Sequence, residues 1–141
     1  MEKATIKQAK KYIFGLIGYN GRVPLYALTQ DSCSEISRLL GVWLYKKFPK
    51  AKIYIYKGRV GGRLHDLLLI QKNGIYVIDP TVWQFFKNKK SILIAKENSI
   101  DAALAALTQC YGGKWKLSES VESYSSLEIE KLKTAVKKNL F

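Results

Sequence analysis

The sequence of 141 residues holds two cysteines, three prolines and one histidine. Two cysteines, Cys33 and Cys110, are too few for the disulfide framework of a small secreted domain, so we expect free thiols in a reducing environment. No apolar run approaches the roughly 18 residues that a membrane-spanning helix needs. The apolar stretch at residues 12–17 is short, contains a glycine and precedes no small-residue cleavage site, so it does not resemble a signal peptide.

Acidic residues are also scarce. Eleven Asp and Glu stand against 24 Lys and Arg, which gives a net charge of +13. Between residues 36 and 96 the only acids are Asp66 and Asp79. A field of this sign attracts nucleic acid, an anionic membrane surface or an acidic protein, although it is also compatible with an ordinary soluble surface.

No internal repeat, low-complexity tract or linker interrupts the chain, so we expect one domain over residues 1–141. Periodicity predicts helices at residues 4–17, from Ser32 to before Pro49, and at 99–108 and 127–139. It predicts strands at residues 52–57, 64–71, 75–79 and 91–95. Residues 57–63 are interpreted as a mobile basic loop, and residues 112–120 give no clear pattern. The expected fold is α+β, with a central antiparallel sheet packed by helices.

Cys33 stands at the predicted start of the second helix. Ser32 and Glu35 have the spacing of a capping box, which makes Ser32 the N-cap and Cys33 the first helical residue. A helix N-terminus stabilises a thiolate, the nucleophilic form of cysteine, through its free N–H groups and its dipole. Taken alone, a single free cysteine is more often an inert core residue.

His65 and Asp79 are the candidate partners of this thiol. His65, the chain's only histidine, opens an apolar strand, and imidazole is the natural base for a cysteine at neutral pH. Asp79 ends the next strand, where a buried carboxylate needs a partner; orienting His65 is one such role, and starting the turn at Pro80 is another.

The turn between these two strands decides whether His65 and Asp79 share a face of the sheet. A two-residue loop at Asn73-Gly74 would place them on opposite faces. A three-residue loop that closes with Gly74 at positive φ pairs Gln71 with Ile75 and places both on one face, within hydrogen-bond reach. We expect the second register because it gives Asp79 a partner.

A cysteine at a helix start, a histidine that opens a strand, a short glycine-containing turn and a strand that ends in Asp79-Pro80-Thr81 together resemble papain-like and transglutaminase-like thiol enzymes. The pattern is similar in particular to compact bacterial papain-fold toxin or effector domains, and it covers residues 30–86. The resemblance implies a papain-like core in which Cys33 is the nucleophile, His65 the general base and Asp79 the orienting acid.

The resemblance also implies an oxyanion donor, no cofactor and no metal. Papain-like enzymes often supply a glutamine several residues before the cysteine; here Gln30 stands only three residues before it, and Asn20 is a weaker candidate. The residues after the nucleophile and the base, Ser34 and Asp66, also depart from the small or aromatic residues usual in the family. Expected partners are a protein substrate and an acidic inhibitor of the immunity-protein kind, with action in a target-cell cytosol.

Two other functions remain open at this stage. In the first, the chain is a basic nucleic-acid-binding protein or nuclease, in which His65 and a lysine or arginine act on a phosphodiester while Cys33 lies in the core. In the second, the chain is a noncatalytic adaptor that keeps the fold. The leading hypothesis, a cysteine protease, glutamine deamidase or transglutaminase, differs from both in requiring a reactive Cys33.

Overall fold

A computed structural model describes residues 1–139 of the chain. These residues contain five α-helices and five β-strands. The helices are α1 (Lys3–Ile17), α2 (Leu25–Leu28), α3 (Cys33–Lys47), α4 (Ile100–Tyr111) and α5 (Ser126–Asn139). The strands are β1 (Lys52–Val60), β2 (Arg63–Gln71), β3 (Ile75–Ile78), β4 (Leu93–Glu97) and β5 (Lys116–Ser120). Short 3-10 helices span Val82–Gln84 and Val121–Ser123. The last two residues of the predicted 1–141 domain lie outside the described part.

The strands form one antiparallel sheet in the order β4-β3-β2-β1-β5. This confirms the predicted α+β class with a central antiparallel sheet. Strands β2 and β3 are inner strands; β3 is wholly buried and β2 is buried from His65 to Ile70, as their apolar sequences require. The two strands that carry His65 and lead to Asp79 therefore lie in the middle of the sheet.

Each face of the sheet has its own core. On one face, Leu68, Ile70, Tyr76 and Ile78 pack with residues of α1, α3 and α5. On the other face, Leu67, Leu69 and Val77 pack with residues of α4 and with Trp115. The alternation of these side chains along β2 and β3 is the one expected from the three-residue register.

The β2–β3 turn adopts the predicted register. Gln71 pairs with Ile75, and the backbone N–H of Lys72 donates to the carbonyl of Gly74 at 2.9 Å. Gly74 has φ 117°, and Asn73 also has a positive φ, of 50°. Two consecutive residues thus take conformations that glycine and asparagine tolerate best, and the turn fixes which side chains face α4.

Other expectations need correction. Residues 57–63 are not a loop: β1 continues to Val60 and β2 begins at Arg63, because Gly61 and Gly62 both take positive φ and close a tight two-residue hairpin. Residues 112–120, where the sequence shows no clear pattern, contain β5, which pairs with β1. The helix at Cys33 begins as predicted, but the hydroxyl of Ser32 does not accept a capping hydrogen bond from its first turn.

Candidate functional site

Cys33 is the first residue of α3 and is half-buried. The first hydrogen bond of the helix runs from the N–H of Ile36 to the carbonyl of Ser32, so the N–H of Cys33 lies in the turn whose donors have no partner within the helix. Ile36 and Leu40 on the same helix are buried against the sheet, which turns this end of α3 toward β2. Cys110, in contrast, is exposed on α4.

His65 and Asp79 form a buried pair. Nε2 of His65 lies 2.7 Å from Oδ2 of Asp79, and both side chains are 0% exposed. Asp79 follows β3 directly, and its own N–H donates to the carbonyl of Ile92, which fixes the backbone beside β4. The partner that the register argument requires for Asp79 is therefore present.

Cys33 is the other group that acts on this imidazole. Nδ1 of His65 is buried and has no hydrogen-bond partner within residues 1–139. Burial lowers the pKa of His65, but the charge and hydrogen bond of Asp79, followed by the interaction with Cys33, outweigh it and raise the pKa to about 9. Because Asp79 occupies Nε2, Nδ1 is the nitrogen left to face the thiol.

An imidazole with this pKa is protonated at neutral pH. A cationic imidazole next to a cysteine favours the thiolate, and a negative thiolate in turn favours the cation. The site therefore combines a cationic imidazole with a buried carboxylate and a cysteine at a helix start.

Aromatic rings surround the imidazole. The ring of Phe85 meets it edge-on at 4.8 Å between centroids, and the rings of Tyr111 and Trp115 lie at 5.8 and 6.3 Å. These rings shield the His65–Asp79 pair from water, which strengthens its electrostatic attraction.

Asp79 has partners that the sequence did not reveal. The hydroxyl of Tyr111 donates to Oδ2, the oxygen that also meets His65, and the N–H of Thr81 donates to Oδ1 at 3.0 Å. Burial raises the pKa of the Tyr111 hydroxyl, and the neighbouring Asp79 raises it further, so the hydroxyl stays a donor. No local pattern indicates Tyr111, because it ends a helix far along the chain from β3.

The segment before Cys33 is anchored to the one after Asp79. The indole Nε1 of Trp83 donates to the hydroxyl of Thr29 at 2.9 Å, and the amide of Gln84 donates to the Thr29 carbonyl. Thr29 is fully buried, and its hydroxyl donates to the carbonyl of Leu25 at 2.8 Å. The approach to the helix start is thus fixed to the 3-10 helix that follows Asp79.

The two candidate oxyanion donors lie before Cys33. Gln30 is an exposed turn residue whose side chain makes no hydrogen bond to any described residue, so it remains available to a ligand. The side chain of Asn20 accepts from the N–H of Arg22 at 3.0 Å. The role of Gln30 stays a prediction.

Arg38 links Ser34, the residue after Cys33, to Asp66, the residue after His65. Its Nη1 lies 2.7 Å from Oδ2 of Asp66, 2.7 Å from Oγ of Ser34 and 3.0 Å from the Ser34 carbonyl. Its Nε donates to Oε1 of Glu119 on β5 at 2.8 Å. Ser34 stands four residues before Arg38 on one helical face, a spacing that indicates contact between the two but gives no sign of Asp66.

Within residues 1–139, no group of three or more His, Cys, Asp or Glu is arranged to hold a metal ion. In the same part of the chain, the helices are too short or too polar for a membrane span. No protein-family model, curated protein or solved structure matches the chain.

Proposed function

We propose that the chain is a cysteine-dependent acyl-transfer enzyme with a papain-like or transglutaminase-like core, which acts on a protein amide through Cys33, His65 and Asp79. The observation that carries the proposal is the buried His65–Asp79 pair: Nε2 of His65 is bonded to the carboxylate, and Cys33, at the start of α3, contributes to the raised pKa of the same imidazole. Nucleophile, base and orienting group are then in the order that nucleophilic catalysis requires.

In this mechanism the Cys33 thiolate attacks the amide carbonyl and forms a tetrahedral oxyanion. The N–H of Cys33 and the side chain of Gln30 are the candidate donors to that oxyanion. His65 gives its proton to the departing nitrogen, the C–N bond breaks and a thioester remains. Water or an amine then attacks the thioester, His65 takes up its proton, and the thiolate leaves.

The attacking group and the amide decide the outcome. Water on a peptide thioester completes proteolysis, water on a glutamine thioester completes deamidation, and an amine completes transglutamination. Asp79 holds the imidazole in place throughout, with Tyr111 and Thr81 as its further donors.

The surroundings of the site favour an acidic substrate. Arg63 lies over the ring of Phe85 at 5.4 Å, next to the imidazole, and Lys87 lies over the ring of Tyr26 at 4.3 Å. Phe85 is partly exposed and Tyr26 is exposed, so cations stacked on their rings offer charge and apolar surface together. A peptide that carries carboxylates beside apolar residues complements this rim, and so does an acidic inhibitor.

The nuclease alternative fits the geometry less well. Nucleic acid would be expected to bind a basic groove, and one is lined by Lys47, Lys50, Lys52 and Lys72. It lies at the Gln71 end of β2, about 20 Å along the strand from His65 at roughly 3.3 Å per residue. A base that is fully buried and bonded to Asp79 does not serve a phosphodiester in that groove.

The proposal is tested by alkylation with iodoacetamide across pH, with both cysteines followed by mass spectrometry. Cys33 is expected to react well below pH 8, whereas Cys110 is not. Glutamine-containing acidic peptides are then assayed in parallel for cleavage, ammonia release and amine incorporation. Equal pH profiles for the two thiols would overturn the proposal.

A further inference from the structure

The residue after Cys33 and the residue after His65 share one guanidinium. Nη1 of Arg38 meets Oγ and the carbonyl of Ser34 on α3 and also meets Oδ2 of Asp66 on β2. Ser34 and Asp66 are the two positions that depart from the small or aromatic residues usual beside such a nucleophile and base. In this chain Ser34 and Asp66 are joined through the guanidinium of Arg38.

The contact is rigid as well as charged. The Asp66 side chain is 2% exposed and that of Arg38 is 12% exposed, so water does not compete strongly for the pair. Asp66 has a second cation, Lys57, at 3.3 Å, and the hydroxyl of Ser37 donates to its backbone carbonyl at 3.0 Å. Glu119 accepts from the other side of the guanidinium, which fixes the plane of its fork.

We propose that Arg38 is a positioning residue that fixes the distance between the Cys33 thiol and the His65 imidazole by joining Ser34 to Asp66. The inference rests on the proposed function, because it assigns Arg38 a role only in a site where that distance matters. In residues 1–139 the side chains of Arg38 and Asp66 make no hydrogen bond or ion pair with Cys33 or His65, so their effect is on geometry rather than on proton transfer. Small displacements of a nucleophile from its base have large effects on reactivity.

Lysine cannot replace arginine in this role. A guanidinium presents several donors in a fixed plane and so meets Ser34, Asp66 and Glu119 together, whereas an ammonium is a point charge on a flexible stem. Arg38→Lys therefore keeps the charge beside Asp66 and loses the bridge. It separates a geometric role from a purely electrostatic one.

The experiment measures the rate of Cys33 alkylation by iodoacetamide between pH 5 and 9 in the full chain. In Arg38→Lys we expect the rate at pH 6 to fall about tenfold, the change that one pH unit of displacement in the profile produces. Cys110 in the same sample is the internal control and should be unchanged. NMR titration of His65, the only histidine in the sequence, gives a second readout. The pKa of its imidazole should fall in the variant, because the thiolate lies farther away.

A second variant distinguishes a change in geometry from a loss of the fold. Arg38→Met combined with Asp66→Leu removes both charges together and leaves no buried carboxylate unpaired. It should retain cooperative thermal unfolding and still show the reduced rate at pH 6. Lys57→Met is the matched control, since it removes the other cation of Asp66 without contact to Ser34; its profile should match the wild type.

Three outcomes would overturn the inference. A wild-type profile in both Arg38→Lys and the double variant, with Cys33 activated in the parent chain, removes the role of Arg38 and leaves the proposed function standing. An equal loss in Lys57→Met assigns the effect to the charge on Asp66 rather than to the bridge. A parent chain in which Cys33 reacts like Cys110 overturns the proposed function, and the role of Arg38 with it.

Discussion

Gly58 lies directly opposite His65 in the β1–β2 register, and the ring of Trp115 fills the space that a side chain at Gly58 would take. A Cβ built at Gly58 would stand 2.5 Å from the Trp115 ring. Because opposite residues point to the same face of a sheet, this glycine is what lets an indole lie beside the imidazole.

The first prediction follows from this contact. Gly58→Ala should push Trp115 outward, lower the free energy of unfolding by about 1–3 kcal/mol and reduce activity, since the imidazole loses part of its cover. Denaturant unfolding measures the first effect. The control is Gly15→Ala on α1, where nothing lies within 4 Å of the added Cβ; it should be neutral or stabilising.

The second prediction separates the thiol from the carboxylate. Cys33→Ala should reduce activity by about a thousandfold or more and leave thermal unfolding nearly unchanged, because the side chain is only half-buried. Asp79→Ala should lower the unfolding temperature clearly, since it leaves the donors of His65, Tyr111 and Thr81 without an acceptor. Wild-type activity in Cys33→Ala would exclude thiol chemistry.

The third prediction concerns stability and pH. The folded state raises the pKa of His65 to about 9, above its unfolded value of about 6.5, so the folded state binds the proton more tightly. This contribution, on the order of 3 kcal/mol, is fully present below pH 6.5 and is lost as the pH rises through 9. The difference in unfolding free energy between wild type and His65→Gln should shrink over that window. A constant difference from pH 6 to 10 would contradict the assignment.

The fourth prediction tests the turn that sets the register. Gly74→Val should destabilise the protein by roughly 1 kcal/mol or more, because a β-branched residue resists φ 117° and its Cβ would approach the Glu97 carbonyl at 3.3 Å. Activity should fall with it, since the turn places His65 and Asp79 on one face. Asn73→Gly in the same turn is the control, because glycine tolerates the positive φ found there; its stability should change little.

The register was predictable because three independent constraints met in a few residues. An acid at the end of a buried strand needed a partner, a single histidine could supply it, and Gly74 offered the positive φ that one of two registers required. The helix at Cys33 was predictable from its apolar spacing, even though the Ser32 hydroxyl does not cap it. Local patterns were sufficient wherever a side chain's role was set by its immediate neighbours.

Long-range partners were beyond such patterns. Tyr111 reaches Asp79 because α4 packs across the second face of the sheet, and nothing near Tyr111 in the sequence indicates that packing. The edge strand β5 was missed because its side chains are polar and mostly exposed, so it shows no apolar alternation. Arg38 could be identified as a neighbour of Ser34 but not of Asp66, which depends on how α3 lies against β2.

The inner position of β2 and β3 divides the site into parts of unequal local stability. Both strands have a neighbouring strand on each side, so their hydrogen-bonded amide protons should exchange with solvent only through global unfolding. Residues 18–32, whose only regular element is the four-residue α2, lie largely at the surface and should exchange through local opening. The imidazole is thus carried by an inner strand, whereas the chain that leads to the thiol begins in an exposed segment and becomes fixed only at Thr29.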